Sequence, residues 1–352
     1  MTPSTLHPFD AARLEAITSQ FPRLRVAVLG DFFLDKYLDV DPALAEISLE
    51  TGKVAHQVAA VRHAPGAAGT VTSNLAALGA GELIAIGFTG DDGEGWELRR
   101  DLTALGCDIT HLHTAADRMT PTYLKPRDRS SAGLEGEHSR YDTKNRQPVP
   151  PRIVQAVLAS LEAVLPRVDA VVVMDQVTDE GMGVMAAPLI DALADIAPRF
   201  PKTVFWVDSR NRIHRYRRVT LKVNQFELIR QDPPADGTGV PTETIIKETA
   251  ALSARAEAPV FTTLGERGVH VSGAHPVTVP GVTVNAPVDP TGAGDSFTAG
   301  TTLALAAGAA RPEAALVGNL VASVTVRQLA TTGTASPSDL IPALTLWKSQ
   351  HA

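Results

Sequence analysis

The sequence predicts an α/β protein whose doubly wound, mainly parallel sheet is flanked by helices and carries a small β lid. From residue 156 onward, short apolar segments alternate with longer helical ones, which is the pattern of parallel strands joined by helices. A carboxylate follows the first apolar segment, at Gly30-Asp31, and open α/β sheets bind ligands at such strand ends. Two more polar segments, about 36–64 and 119–145, interrupt the alternation and are expected to form the lid.

Strands of the main sheet are predicted where short apolar runs end in Gly, Pro or polar residues. They are expected at 25–29, 83–87, 169–174, 203–207, 219–223, 260–263 and 269–272. Helices are expected between them, at 66–78, 185–196 and 242–256, and Ala-rich helices fill the C-terminal part. No repeat of about 20–50 residues occurs. We therefore expect a single domain, 1–352, with the lid segments inserted.

Composition and charge are those of an ordinary globular protein, with 44% hydrophobic and 20% charged residues. The net charge of -7 argues against nucleic-acid or anionic-membrane partners, because these need a basic face. Neither a long apolar stretch nor the pattern of a secretory signal occurs, so no membrane span or signal peptide is expected. Cys107 is the only cysteine, which favours a cytoplasmic location.

The strongest chemical signal lies at 286–300, where a Gly-rich turn leads into an Ala-rich helix. The backbone amides of Gly292, Ala293 and Gly294 would point along the axis of this helix and could bind an anion. Asp295 could accept a proton from a substrate hydroxyl while those amides stabilise charge on a transferring phosphoryl group. The simpler alternative is a Gly-rich helix start capped by an Asp.

Neither the Walker-type motif nor the protein-kinase signature set is present, so phosphoryl transfer would need another scaffold. The segment Asp289-Pro-Thr-Gly-Ala-Gly-Asp295 resembles the C-terminal signature of the ribokinase-like, or PfkB, family of carbohydrate kinases. The resemblance implies a ribokinase-like fold, Asp295 as the catalytic base and an anion hole at 292–294. It also implies ATP and Mg²⁺ as cofactors, and a monovalent cation such as K⁺ near the Asp289 loop.

Further segments resemble this family in the same order along the chain. The resemblance implies sugar contacts at the first strand end and the N-terminal Gly-rich signature, from Asp31, Asp35, Gly66, Ala67 and Thr70. It implies that Asn224 and Glu227, in an Asn-x-x-Glu element, contribute to binding magnesium and phosphate, with the metal ion held through water. It implies nucleotide contacts from Thr263, Gly265, Gly268, Thr291 and Asn319.

Within the family, Asp31, Asp35 and Glu50 look most like kinases of a heptose 7-phosphate. The predicted lid keeps that resemblance through Thr122, Lys125, Arg127, Arg140 and Asp142. An acidic strand end suits hydroxyls and a basic lid suits a phosphate, so the expected partner is a small sugar or sugar phosphate. At 66–70 the chain has Gly-Ala-Ala-Gly-Thr where the family usually has Gly-Gly-Ala-Ala-Asn. Exposed lid strands would also favour a homodimer.

Other readings compete with a sugar kinase. Gly181-Met-Gly183-Val-Met-Ala186 fits a dinucleotide-binding pattern and would indicate a nicotinamide-dependent oxidoreductase, although five residues separate it from the preceding strand. The altered 69–70 pair is compatible with a sugar-binding or regulatory homologue that has lost catalysis.

Smaller signals also have two interpretations. His111 and His113 could bind a metal but are expected on a surface strand. The basic run at 210–218 could hold a substrate phosphate but is expected to be a solvated loop. Asp175 could contact substrate or metal, or cap a helix.

Overall fold

The computed structural model describes residues 9–131, 134–329 and 332–351. The two ends of the predicted domain, 1–8 and 352, lie outside the described residues, as do 132–133 of the second predicted lid segment.

Sixteen strands occur in this part of the chain. They are β1 Arg25–Gly30, β2 Phe32–Val40, β3 Glu46–Ile47, β4 Val54–Ala55, β5 Val58–Ala67, β6 Glu82–Gly90, β7 Cys107–Asp108, β8 Leu112–Ala115, β9 Thr122–Asp128, β10 Tyr141–Thr143, β11 Ala170–Asp175, β12 Val204–Ser209, β13 Thr220–Asn224, β14 Val260–Thr263, β15 Val269–Val271 and β16 Val277–Val279.

Ten α-helices accompany these strands within the described residues. They are α1 Ala11–Thr18, α2 Ala68–Ala77, α3 Gly93–Ala104, α4 Pro151–Val164, α5 Ala187–Ile196, α6 Gln225–Ile229, α7 Thr242–Ala256, α8 Ala293–Ala306, α9 Arg311–Thr325 and α10 Pro337–His351.

The central sheet has the strand order β16-β15-β14-β13-β12-β11-β1-β6-β7, and β8 also pairs with β6. Pairing is parallel from β14 to β7 and antiparallel at β14-β15 and β15-β16. The inner strands are mainly apolar, as in the fully buried β11, where only the last residue, Asp175, is polar. This follows because helices cover both faces of a parallel sheet. The predicted mainly parallel sheet is confirmed.

Helices pack on both faces of the sheet, which makes it doubly wound. In β1, Val26 and Val28 face one core, and Ala27 and Leu29 face the other. The first core is completed by buried residues of α1, α2, α3, α8, α9 and α10, and the second by those of α4, α5 and α7. The alternation of faces along β1 follows from the period of two in a strand.

The lid is a separate sheet of order β10-β9-β2-β5, with the small β3-β4 hairpin beside it. β2 pairs antiparallel with β5 and parallel with β9, so the lid joins two distant segments of the chain. The first lid strand begins at Phe32, four residues before the predicted segment, and its first residues are buried. Lid and central sheet therefore share the short connection at Asp31.

The predicted elements agree closely with the structure. The α7 and β14 bounds equal the predicted ranges 242–256 and 260–263, and the other predicted strands differ by a few residues at their ends. Across the described residues, none of the helices has the length and apolar character needed to cross a bilayer.

Candidate active site

The candidate site lies at the carboxyl edge of the central sheet. β11, β12 and β13 end there in Asp175, Ser209 and Asn224, because parallel strands point their carboxyl ends to one edge. The start of α8 approaches the same edge, since a Cβ placed on Gly294 would lie 2.9 Å from Nζ of Lys222 in β13. The edge and the helix start thus enclose one cleft.

The turn before α8 has the conformation that the sequence motif predicts. Gly292 is the N-cap with φ +77°, a left-handed conformation that costs a non-glycine residue about 1–2 kcal/mol. The Ala293 N–H donates to the carbonyl of Pro290 at 3.1 Å. The first backbone N–H groups of a helix have no acceptor within the helix. Those that do not donate within this turn, such as the N–H of Gly294, are therefore placed to bind an anion.

Asp295 lies in the first turn of α8, among several charged side chains. Burial in the cleft and the negative charge of Asp208 raise the pKa of Asp295 to about 7, and Asp35 acts in the same direction. The cations Lys222 and Arg210 oppose that rise. A carboxylate whose pKa lies near neutrality is well suited to accept a proton at physiological pH.

Lys222 and Asp208 form a buried ion pair beneath Asp295. The Lys222 ammonium lies 2.8 Å from Oδ2 of Asp208, and the two side chains are only 7% and 6% exposed. Burial by itself lowers the pKa of Lys222, but the attraction of Asp208 and Glu227 raises it above its ordinary value. Lys222 is therefore a permanent cation at the floor of the cleft.

The predicted Asn-x-x-Glu element forms a capping box at the start of α6. The Asn224 Oδ1 accepts the amides of Phe226 and Glu227 at 2.9 Å, and Oε2 of Glu227 accepts the Asn224 amide at 2.8 Å. The other carboxylate oxygen, Oε1, is the one that can meet a hydrated cation. Among the described residues, no group of three or more His, Cys, Asp or Glu side chains is placed to hold a metal ion.

A pocket of about 290 Å³ lies on one side of the α8 start. Five residues predicted to bind nucleotide or anion line it: Thr263, Gly265, Gly268, Ala293 and Gly294. Its other walls are mostly apolar, formed by Val282, Val284, Val288, Phe297, Ala322 and Val326. Apolar walls beside a turn of backbone amides suit the base and phosphates of a nucleotide.

Two further predicted nucleotide contacts flank this pocket. Asn319 lines it, and its amide nitrogen donates to the carbonyls of Val279 and Pro280 at 3.3 and 3.0 Å. Thr291 lies in the turn before α8, where its N–H donates to Asp289 at 3.0 Å. The pocket thus brings together residues from β14 to α9.

Asp35 and Lys125 meet across lid strands β2 and β9. Oδ1 of Asp35 lies 3.0 Å from the Lys125 ammonium, which also stacks on the Tyr37 ring at 5.0 Å. Burial lowers the pKa of Lys125, but Asp35 and Tyr37 raise it above its ordinary value. Lys125 is thereby paired with Asp35, and its predicted contact with a substrate stays a prediction.

The predicted N-terminal signature lies against the same residues. Gly66 lies close to Asp35, since a Cβ placed on Gly66 would be 2.9 Å from Oδ2 of Asp35. Thr70 lies close to the turn before α8, since a Cβ placed on Gly292 would be 3.6 Å from the Thr70 methyl group. The Thr70 hydroxyl donates to the Pro65 carbonyl at 3.4 Å. Ala67 has φ +53° at the junction between β5 and α2, where its backbone is strained.

A second, smaller pocket of about 150 Å³ lies under the lid and is bordered by three cations, Arg140, Lys144 and Arg210. Arg140 stacks on the Tyr123 ring at 4.5 Å and makes two hydrogen bonds to Asp142 at 2.7 and 3.0 Å. Lys144 lies 3.6 Å from the same Asp142. Three cations, one of them Arg210, therefore border this pocket under the lid.

Two other residues of the predicted basic lid lie differently. Arg127 donates to the Ser131 carbonyl at 2.7 Å, and Glu50 is exposed near the β3-β4 hairpin. Neither lines the pocket bordered by Arg140.

Asp31 is held by backbone amides rather than facing open space. Its two oxygens accept the amides of Gln176, Val177 and Val184 at 2.7–3.0 Å. Burial and the nearby Asp175 raise the pKa of Asp31 to about 6, and these amides oppose the rise. The carboxylate of Asp31 therefore holds the loop 176–184 in place, and the sugar contacts predicted for Asp31 and Asp35 stay predictions.

Asp175 and Arg212 form a buried ion pair, with side chains 0% and 9% exposed. Ser209 and Tyr216 donate to Asp175 at 2.6 and 2.9 Å. The expectation of a solvated loop at 210–218 is therefore wrong for Arg212. Asp175 neither caps a helix nor contacts the cleft, because its oxygens are occupied by these donors.

The dinucleotide pattern at 181–186 does not have the required geometry. β11 ends at Asp175 and α5 begins at Ala187, so the glycines lie in a long loop rather than in a tight strand-to-helix turn. His111 and His113 likewise form no metal site, and His113 pairs with Ser160 at 3.0 Å.

Sequence reasoning missed the roles of Asp208, Lys222, Lys144 and Tyr123. The available signal was that Asp208 and Lys222 are polar residues within adjacent apolar strands, and the β12-β13 register places them side by side. The roles in the lid had no local signal, because β9 and β10 approach Arg210 only in the folded chain.

Comparison with protein families places this geometry among known folds. Residues 220–339 match the model of the pfkB family carbohydrate kinases. Solved structures with a similar fold include phosphofructokinase-2 from Escherichia coli in complex with potassium and ribokinase from Arabidopsis thaliana complexed with ribose and ATP. The phosphofructokinase-2 structure has a TM-score of 0.69 at 17% identity, and the match covers 94% of this chain and 99% of that one. The ribokinase structure has a TM-score of 0.62 at 16% identity, and the match covers 91% of this chain and 98% of that one. The predicted ribokinase-like fold is confirmed.

Curated relatives named bifunctional protein HldE are similar over most of the chain. The relative from Desulfatibacillum aliphaticivorans is 28% identical over 94% of this chain, and that from Halorhodospira halophila is 31% identical over 92%. The chain spans 64% of the length of each.

Proposed function

We propose that this chain is a carbohydrate kinase of the pfkB family, whose model matches residues 220–339, and that it transfers the γ-phosphoryl group of ATP to a hydroxyl of a sugar phosphate. The observation that carries the proposal is the position of Asp295. Asp295 lies in the first turn of α8, next to Gly294, which lines the proposed nucleotide pocket. On the lid side, the negative charge of Asp35 raises the pKa of Asp295. A base between a donor site and an acceptor site is what direct transfer requires.

In the proposed reaction, Asp295 accepts the proton of the attacking hydroxyl while the oxygen attacks the γ-phosphorus and ADP leaves. The amides of Gly292 and Gly294 stabilise charge on the transferring group. Glu227 and Asn224 would hold a magnesium ion through water, and this ion would neutralise phosphate charge.

A monovalent cation is a further part of the proposal. We place it near the Asp289 loop, where the buried carboxylate of Asp289 accepts the Thr291 amide at 3.0 Å. The potassium complex of Escherichia coli phosphofructokinase-2 supports this choice.

The acceptor proposed is a sugar that already carries a phosphate. Arg140, Lys144 and Arg210 border the small lid pocket, and a phosphate there would meet several cations. Asp35, fixed by Lys125, would accept hydrogen bonds from sugar hydroxyls. The likeness to heptose 7-phosphate kinases in the first strand and lid makes a seven-carbon sugar phosphate the preferred candidate.

We further propose that the lid forms a homodimer. The lid and its hairpin expose a set of apolar side chains, Leu44, Ile47, Leu49, Val54, Val58 and Val61. β5 is an edge strand of the lid sheet, with β2 on one side, so a strand of a second lid could add to its other side. Val61→Asp should convert a dimer to a monomer in analytical ultracentrifugation, whereas a wild-type monomer at micromolar concentration would contradict the proposal.

The proposed reaction also fits the cytoplasmic location predicted from the sequence. The single cysteine, Cys107, is a buried free thiol whose pKa burial raises to about 12, as is usual for a structural thiol in a reducing compartment.

An ADP-release assay over a panel of free and phosphorylated sugars tests the function. We expect ADP formation to depend on a phosphorylated acceptor, and Arg140→Ala to lower kcat/KM for that acceptor by about 10-fold or more. Asp295→Asn should lower turnover by at least about 100-fold while ATP binding persists. The matched control is Asp236→Asn at an exposed loop position.

The outcomes separate the alternatives. No ADP release with any sugar, together with sugar binding by calorimetry, would establish the non-catalytic homologue instead. Near-normal turnover of the Asp295→Asn variant would refute the assignment of the base.

A further inference from the structure

The buried Lys222–Asp208 pair occupies a position that stability alone does not explain. Both side chains are almost completely buried on adjacent strands, β12 and β13. Removing two charges from water is costly, and apolar residues of similar volume often serve stability as well or better. Such a pair is therefore a candidate for a functional role.

The Lys222 ammonium lies directly against the first turn of α8. A Cβ at position 294 would lie 2.9 Å from Nζ, so a side chain on that residue would force the ammonium to move. The N-terminus of a helix is itself positive, and a cation at this position is unfavourable unless negative charge is present. Asp208, Asp295 and Glu227 supply part of this negative charge, and an incoming phosphoryl group would add to it.

We propose that Lys222, oriented by Asp208, is a positioning residue that keeps Asp295 ionised and places a fixed positive charge beside the transferring phosphoryl group. The inference rests on the proposed kinase function and assigns a role to a residue outside the signature segments at 66–70 and 289–295. In this arrangement Lys222 stays protonated throughout and exchanges no proton with substrate.

The charges around Asp295 support this role. Asp208 on β12 and Asp35 on β2 disfavour its ionised form, and Lys222 on β13 and Arg210 after β12 favour it. The pKa of Asp295 is about 7 with all of these groups present. Removing the Lys222 charge leaves Arg210 as the opposing cation, so the pKa should rise and less base should be available at neutral pH.

Lys222→Met tests the proposal, because methionine keeps the length of the side chain without its charge. We expect the acidic limb of the kcat/KM profile to move upward by about one pH unit. This corresponds to roughly tenfold less ionised Asp295 well below its pKa. Activity should recover in part at higher pH, and the KM for ATP should change little. Lys222→Arg should restore the limb, and Lys202→Met, at an exposed position, is the matched control.

A merely structural role makes a different prediction. It would lower activity equally at every pH and leave the limb unmoved, and that result with a folded Lys222→Met protein would overturn the proposal. If the variant does not fold, Asp208→Asn should move the limb downward, because it removes a negative charge that raises the pKa of Asp295 and leaves the charge of Lys222 uncompensated by Asp208. An unmoved limb there would also overturn the proposal.

A direct titration separates this inference from the kinase function. The ¹³C carboxyl resonance of Asp295, assigned by its loss in Asp295→Asn, can be followed against pH without an acceptor. A higher midpoint in Lys222→Met supports the charge role even if every tested sugar fails. An unchanged midpoint in an active enzyme removes the role of Lys222 and leaves the kinase assignment intact.

Discussion

We expect the backbone of Ala67 to be strained, because the methyl side chain of alanine disfavours its positive φ angle. Ala67 is the N-cap of α2 with φ +53° and ψ −115°, a region that residues other than glycine rarely occupy. Such conformations cost about 1–3 kcal/mol. Ala67→Gly removes this cost but gives the unfolded chain more freedom, worth about 0.4–1 kcal/mol in the other direction. The balance is a stabilisation of about 1 kcal/mol.

The assay is thermal unfolding of Ala67→Gly beside a matched alanine-to-glycine change. For a chain of this length, 1 kcal/mol corresponds to a rise in Tm of about 1–2 °C. Ala250→Gly is the control, since Ala250 is exposed within α7 and glycine there costs about 1 kcal/mol. The two Tm shifts should therefore have opposite signs. Equal losses of stability would show that the backbone at Ala67 is not strained.

Three further predictions follow from the charges and contacts of the site. The kcat/KM of the wild-type enzyme should rise with pH through an acidic limb near pH 7, because Asp295 must be ionised to act; a profile flat from pH 5 to 8 would contradict this. Arg212→Met should destabilise the protein by about 3–5 kcal/mol in urea unfolding, because it leaves Asp175 buried and unpaired, whereas Arg215→Met at an exposed pair should cost about 1 kcal/mol or less. Gly294→Val should abolish most turnover with the fold retained in circular dichroism, since the side chain would displace the Lys222 ammonium; unchanged kinetics would place the anion hole elsewhere.

The geometry of the turn before α8 and of the α6 start could be predicted from sequence because the contacts in both segments are local. Gly292 and Asp295 lie within one turn and the helix it begins, so their geometry follows from the backbone of that segment. The Asn224 and Glu227 pair was predictable as an element for the same reason, and the structure adds that both residues also cap α6. Short-range geometry is fixed by a few dihedral angles, which residue types reveal directly.

The lid side was predicted less accurately because its contacts are long-range. Lys125 and Arg140 were expected to act together on a phosphate, but β2 pairs with β9 and places Asp35 beside Lys125. Asp31 was expected to face the sugar, but the loop 176–184 folds over it and donates three amides. These partners lie some 90 and 150 residues away in sequence, where no local pattern links them.

The sequence by itself determined the alternation of strands and helices, the polar residues at the carboxyl ends of the strands, and the turn that begins α8. These features depend on periodicity and on glycine, which act within a few residues. Only the tertiary structure decided which charges surround Asp295. Asp208 and Lys222 are neighbours because β12 pairs with β13, and Gly294 reaches them because α8 packs across those strands. Sheet order and helix packing are set by burial of apolar faces over the whole chain, so the electrostatics of the base emerge only when the chain is folded.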